Sequence, residues 1–427
     1  MQPQKIVLGT RKVSLITMGH GCRQAKNRQI YPAELYRTPP IVPCNSTINP
    51  MLRVIRIQLF VAGLLVFIPF ATGYAQQDPS IEEMTQGMER RDGFFPVYWD
   101  TQGGRVYLEI PVTGKDFLYV TSLPAGLGSN DVGLDRSLLG NTRLVRFERS
   151  GPKILMVMPN LRYRAESPNA AERKAVDEAF AEAVIWGFTT AAETDTRVLV
   201  DATDFVVRDA QGIARRLRGT GQGSFVVDIT RSAVVPEMLK VFPHNTELEA
   251  RVTLTSDAPG AFVREVAADP YAVTLRVRHS LVRLPDPGYV PRVFHPRSGY
   301  MAHTWRDYAT PVGDDVVRRF VRRHRLIKSD PSIAASDPVE PIVYYLDPGT
   351  PEPVRSALLD GARWWSEAFE AIGFSNAFRV ELLPENADPM DVRYNTIQWV
   401  HRSTRGWSYG SSVVDPRTGE ILSLIHI

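Results

Sequence analysis

The chain has 427 residues and a mass of 47.8 kDa, enough for two or three domains. Its 44% hydrophobic and 23% charged residues exclude a disordered or collagen-like chain, and 32 prolines with 30 glycines argue against a long-helix bundle. The formal charge of +3 averages two unlike pieces. Residues 1–75 carry nine Lys/Arg against the single acid Glu34, which leaves 41 basic and 46 acidic side chains beyond them. A net-acidic remainder argues against nucleic-acid partners, which need clustered positive charge.

Segment 51–75 explains the imbalance. Arg53 and Arg56 precede an apolar run over 59–70, and Gly73-Tyr74-Ala75 supplies small residues for a cleavage site. The run is too short to cross a bilayer, which takes about 20 residues, so it reads as a secretory signal peptide with no stable membrane anchor after cleavage. The mature form is expected to begin at Gln76, secreted or periplasmic. Residues 1–50 suit either a transit-like extension or, preferably, a spurious upstream stretch, with Met51 as the true start. Both cysteines, Cys22 and Cys44, lie there. The mature chain therefore has neither a disulfide framework nor a thiolate metal site.

From Asp92 the pattern is β-rich. Residues 94–99 and 105–110, joined by a Gly-containing turn, predict a hairpin, and 117–122 a third strand, giving a small unit over 80–122. A second hairpin spans 142–158. One helix is expected over 169–186, with Val176, Phe180 and Val184 as its apolar stripe. Further strands are expected at 197–200, 205–208, 225–229 and 249–255. The alternation of Val273, Leu275 and Val277 with Thr274, Arg276 and Arg278 predicts a half-buried strand. Residues 123–328 thus form a β-rich domain of α+β class. Its Pro- and Gly-rich stretch 285–311 reads as an ordered irregular segment, and the cation-rich run 316–328 as a solvated face.

Residues 329–340 have linker composition, and 341–427 read as a different unit. Strand 341–346 is followed by Thr350 as cap and Pro351 as first position of a helix. Val354, Leu358, Ala362, Trp365, Phe369 and Ile372 form one expected stripe, which Gly373 ends. Strands at 378–383, 396–401 and 408–414 follow, and another begins at Glu420.

Catalytic signatures are sparse. His244, His279, His295, His303, His324, His401 and His426 contain no helical His-x-x-x-His pair. His295 and His303 lack carboxylates at ligand spacing, so local hydrogen bonding is expected of both. Gly126-Leu127-Gly128 lacks the third glycine of a phosphate loop. Ser224 lacks the flanking glycines of a nucleophile elbow, since Gln222 and Val226 stand there.

The order of segments nonetheless resembles one family. Residues 92–110, Val184-Ile185-Trp186-Gly187-Phe188, the stretch from Tyr289-Val290-Pro291-Arg292-Val293 to Arg297-Ser298-Gly299-Tyr300, and Tyr344-Tyr345-Leu346-Asp347 through Trp364-Trp365 are similar to bacterial secreted zinc-dependent metalloproteases whose N-terminal half consists of domains of unknown function. The likeness spans 80–421. It implies that 341–427 open a metzincin-like α/β peptidase domain, with zinc as cofactor and a peptide or protein substrate in the full-length protein. That substrate would add as a strand to the sheet edge beginning near Glu420. In the family the His-Glu-x-x-His helix lies beyond these strands, so the resemblance assigns no catalytic, cofactor-binding or metal-ligating residue to this chain. By itself the chain is expected to hydrolyse no peptide and bind no zinc. Residues 422–427 read as translated adapter sequence; as native residues they would form an edge strand. The alternatives are a non-catalytic secreted binding or scaffold protein and a carbohydrate-active enzyme using paired carboxylates.

Overall fold

The computed structural model describes residues 79–112 and 114–426. The expectations for 1–50 and for the signal peptide at 51–75 lie outside these residues. Fourteen strands form one large antiparallel sheet. Its long members, in chain order, are β1 (Val97–Asp100), β2 (Arg105–Pro111), β3 (Phe117–Ala125), β4 (Arg143–Ser150), β5 (Lys153–Met158), β6 (Ala183–Glu193), β7 (Arg197–Asp201), β8 (Asn245–Thr255) and β9 (Ala272–Val282). In space they run β1-β2-β7-β6-β5-β4-β3-β9-β8. The sheet curls until its two ends meet: Phe94 N–H donates to Phe242 O at 2.9 Å, and Thr246 Oγ1 bonds both N–H and C=O of Phe95. One continuous apolar core fills the curl, with Phe95, Phe117, Phe147, Phe188, Phe205 and Leu217 buried in it.

The hairpin β1–β2 and the alternation in β9 form as expected, with Val273, Leu275 and Val277 buried. The strands of 80–122 do not stand apart, however. β2 pairs with β7, while β3 sits between β4 and β9 near the middle of the sheet. The helix expected over 169–186 is shorter: α1 (Ala170–Ala179) ends at Phe180, which is already extended, and 183–193 become β6. Pairing with β5 explains the switch, because it puts Trp186 and Phe188 against the core and leaves Val184 54% exposed. The strand expected at 205–208 is instead a short helix, Thr203–Val206, which buries Phe205 and Val206. The strand expected at 225–229 is reduced to Val226–Val227, followed by a 3-10 turn at Ile229–Arg231.

Part of the irregular stretch is a strand. β10 (Ala302–Asp307) pairs antiparallel with β11 (Val317–Val321) and parallel with Tyr163–Arg164. The arginines of 316–328 largely serve internal contacts rather than a free solvated face. Arg325 pairs with the buried Glu420 at 2.8 Å, and Arg323 stacks over Tyr289 and donates to Val290 O at 2.6 Å.

The C-terminal sheet contains β12 (Ile342–Leu346), β13 (Phe378–Leu382), β14 (Asn395–Ile397), β15 (Gly410–Val414) and β16 (Ile421–His426), ordered β13-β12-β14-β16-β15. All neighbours are parallel except β15, which runs antiparallel to β16. The single long helix expected over 351–372 is broken. α2 (Val354–Arg363) and α3 (Trp365–Glu370) meet at Trp364, and Pro353 rather than Thr350 occupies the cap position. Leu359, Ala362 and Phe369 pack on Ile342, Tyr344 and Val380, whereas Trp364, Trp365 and Ile372 are 74%, 64% and 65% exposed. Residues 329–340, linker-like in composition, are a pinned loop: Ser329 N–H donates to Asp337 O at 2.9 Å, and Ser336 bridges to Gly373 and Ser375. The described residues cluster as one compact unit.

Candidate functional site

The sheet edge lies elsewhere than the sequence suggested. The strand that begins after Glu420 is internal, held between β14 and β15, and the outer edge belongs to β15. In an antiparallel pair only alternate residues direct N–H and C=O at the partner. The remaining groups of β15 therefore face away from β16, and no other described strand pairs with them.

That edge lines a cleft of about 810 Å³. Gly410, Ser411, Ser412 and Val414 form one wall, and the stretch 139–144 faces them. Residues 158–162 and Met301, His303, Thr304 and Arg322 complete it. Beneath lies an apolar layer in which Val413 and Leu422 of the small sheet pack with Leu118, Val120, Leu144 and Val282 of the large one. The layer fixes β15 by its inward side chain, leaving the backbone edge open.

Polar anchors fix the position further. Arg402 donates twice to the buried Asp135, and Tyr409 Oη donates to the same carboxylate at 3.2 Å, immediately before β15. Burial, then the Asp135 charge, pushes the Tyr409 phenol up to about 12, so it remains a donor. Asn130 Oδ1 accepts from Thr404 N–H at 3.1 Å, and Ser403 N–H donates to Gly128 O at 2.7 Å. Gly126 must lack a side chain: a Cβ there would meet Arg136 N and Leu134 O at 2.4 Å. The Gly126-Leu127-Gly128 turn thus serves backbone packing. At the other end of β15, Arg164 stacks over Trp305 and donates to the carbonyls of Pro416 and Arg417.

Three arginines line the cleft: Arg143, Arg162 and Arg322. None of their guanidinium groups has a carboxylate partner among the described residues, and no Asp or Glu lines the cleft. His303 also lines it. Burial first and the neighbouring Arg164 second hold this imidazole below its usual range, so it is neutral at pH 7.

His244, His279, His295, His324 and His401 do not line the cleft. His295 caps a 3-10 turn through Nδ1, accepting from Arg297 N–H at 3.2 Å, while His244 and His401 are exposed. His279 is fully buried beneath the large sheet. Its Nε2 lies 3.0 Å from Val206 O, and its Nδ1 lies 2.9 Å from Tyr119 Oη, which in turn accepts from Arg208. Burial, then Arg208, pushes this histidine down to about 3. The neutral ring consequently donates from Nε2 and accepts at Nδ1. No described group of three His, Cys, Asp or Glu is arranged to hold a metal ion. Ser224 is an exposed loop residue. The cleft arginines come from separate segments, so no local spacing marks them; only Arg322 falls in a stretch whose composition stood out.

Residues 138–329 match the family described as Domain of unknown function (DUF5117), and 78–126 match Domain of unknown function (DUF5118). The first match covers β4 to β11, and the second β1 to β3. No curated protein and no solved structure matches the chain. The cleft draws one wall from the DUF5117-like region and the other from β15, beyond both matches.

Proposed function

We propose that this chain is the N-terminal portion of a secreted or periplasmic zinc-dependent metallopeptidase, in which β15 holds an extended peptide substrate. The observation that carries this reading is the edge at Gly410–Val414, unpaired among the described strands, lining a cleft of about 810 Å³. Such an edge supplies evenly repeated donors and acceptors to any peptide backbone. The parallel order of β12, β13, β14 and β16, with a helical crossover between β12 and β13, suits the α/β peptidase domain implied by the resemblance.

The residues described here do not fit a catalytic zinc, which takes three protein ligands. Of the side chains lining the cleft, His303 alone is a ligand type. The role proposed for these residues is to bind and orient the peptide. The test is to extend the reading frame and assay the encoded protein. A His-Glu-x-x-His helix within the next ~100 residues, with casein hydrolysis abolished by a chelator, supports the reading. A frame without that motif, and no hydrolysis, would favour a secreted peptide-binding scaffold.

A further inference from the structure

We infer that the cleft selects extended peptides bearing acidic side chains. This rests on the edge-strand reading above and adds what determines the sequence bound. Two observations carry it. The walls bring Arg162 and Arg322 together from the turn before Tyr163 and from the end of β11. The same walls contain no carboxylate, although 46 of the chain's acidic residues lie beyond residue 75. Several buried or half-buried arginines elsewhere are held by carboxylates: Arg402 by Asp135, Arg325 by Glu420, Arg278 by Glu249, Arg417 by Asp415. Arg162 and Arg322 keep their donors for a guest.

Geometry assigns the parts. A strand added to β15 turns alternate side chains to the same face, about 6.8 Å apart. Glutamate or aspartate on the cleft side of the added strand is offered the exposed Arg162 and Arg322, both in the cleft lining. Arg143 pairs across the ladder with Tyr119 and stacks over its ring, on the face of the large sheet opposite Leu118 and Leu144, so the carboxylate contacts fall to Arg162 and Arg322. His303 is neutral and adds a hydrogen-bonding group rather than charge. Leu139 and the exposed Met301 leave apolar ground for small or branched residues between the acids.

The experiment uses the full chain and fluorescently labelled peptides of about eight residues, roughly 27 Å when extended, alternating Thr with Glu, Gln or Lys. Anisotropy should show the Glu peptide binding about tenfold or more tighter than the Gln peptide, with the Lys peptide weakest. Arg162→Gln and Arg322→Gln should each weaken the Glu peptide about three- to tenfold and leave the Gln peptide unchanged. Arg162 and Arg322 are exposed, so their variants retain the fold. Raising salt on the wild-type chain should weaken the Glu peptide alone. Peptides N-methylated at alternate positions should lose binding for one parity only. Equal binding of Glu and Gln peptides with that parity effect intact would overturn the acidic preference while leaving the edge reading standing. Binding by none of the peptides would overturn both. An oligothymidylate of equal charge binding as tightly as the Glu peptide would overturn the assignment to peptides.

Discussion

Asp135 and Arg402, 267 residues apart in sequence, meet through two parallel hydrogen bonds of 3.0 Å with side chains only 4% and 6% exposed. The pair ties the loop before β15 to the large sheet, and Tyr409 shares its carboxylate. A buried ion pair adds little over an apolar substitute, but removing one partner strands a charge. Arg402→Ala should therefore lower the unfolding free energy by about 3–5 kcal/mol. The double variant Asp135→Ala/Arg402→Ala should lose clearly less than the sum of the singles. Arg402→Lys should recover only part, because an ammonium cannot reproduce the bidentate geometry. Urea unfolding of the wild type and the four variants, Asp135→Ala among them, checks this; additive losses would contradict it.

Three titratable groups, two histidines and a glutamate, give the stability acid dependences of opposite sign. His279 is held at about 3 in the folded chain against 6.5 when free. As pH falls below 6.5 the unfolded chain takes a proton that the folded one refuses, so stability is lost down towards pH 3, by at most about 1.4 kcal/mol per pH unit. His324, pushed by burial to about 4, acts in the same direction. Glu247 opposes them. Burial raises its carboxyl to about 7 despite Arg278 and the donors Ser280 and Asn245, so the folded chain gains its proton first as pH falls from 7 to 4.5. Above pH 7 the buried charge costs its full amount. Glu247→Gln should consequently gain on the wild type above pH 7, and its stability should fall more steeply towards pH 4.5. Denaturation midpoints measured between pH 4 and 8 test this, and parallel curves for the two proteins would count against it.

The helix pair α2–α3 tests which face is buried. Phe369 stacks on Phe378, with ring centroids 5.6 Å apart, while Trp365 points to solvent. Phe369→Ala should cost about 1–3 kcal/mol, a part of what a fully buried ring loses. Trp365→Ala should stay within about 0.5 kcal/mol. A reversed ranking in thermal unfolding would restore the continuous stripe as the buried face.

These elements show where sequence pattern suffices. In β9 the apolar and polar residues alternate without exception from Val273 to Arg278, and one face of the sheet is buried, so pattern and environment agree. At 176–184 the four-residue spacing fits a helix, but Trp186 and Phe188 gain more by pairing against β5, a partner some 30 positions earlier that local periodicity cannot register. Likewise Leu358 and Leu359 offer the helix two phases, and the break at Trp364 selects the one with Leu359. The 408–414 strand is legible in the sequence. Its place at the edge depends on β16 inserting beside β14, which is a matter of topology. The cleft arginines are a product of the same long-range assembly.

The export reading predicts a defined N-terminus. Protein recovered from outside the cytoplasm should begin at Gln76, as read by N-terminal sequencing, because Gly73-Tyr74-Ala75 provides the small residues of a cleavage site. Peptides from residues 1–50 in the exported form would contradict it.

The most direct test of the peptide-binding edge is amide hydrogen exchange of the full chain with and without a saturating concentration of the Thr/Glu peptide. Outward amides of Gly410–Val414 have no strand partner before binding and gain one on strand addition. They should slow by at least about tenfold, while amides of β10 and β11 stay unchanged. Saturation with peptide that leaves exchange across Gly410–Val414 unaltered would place the peptide elsewhere and contradict the account.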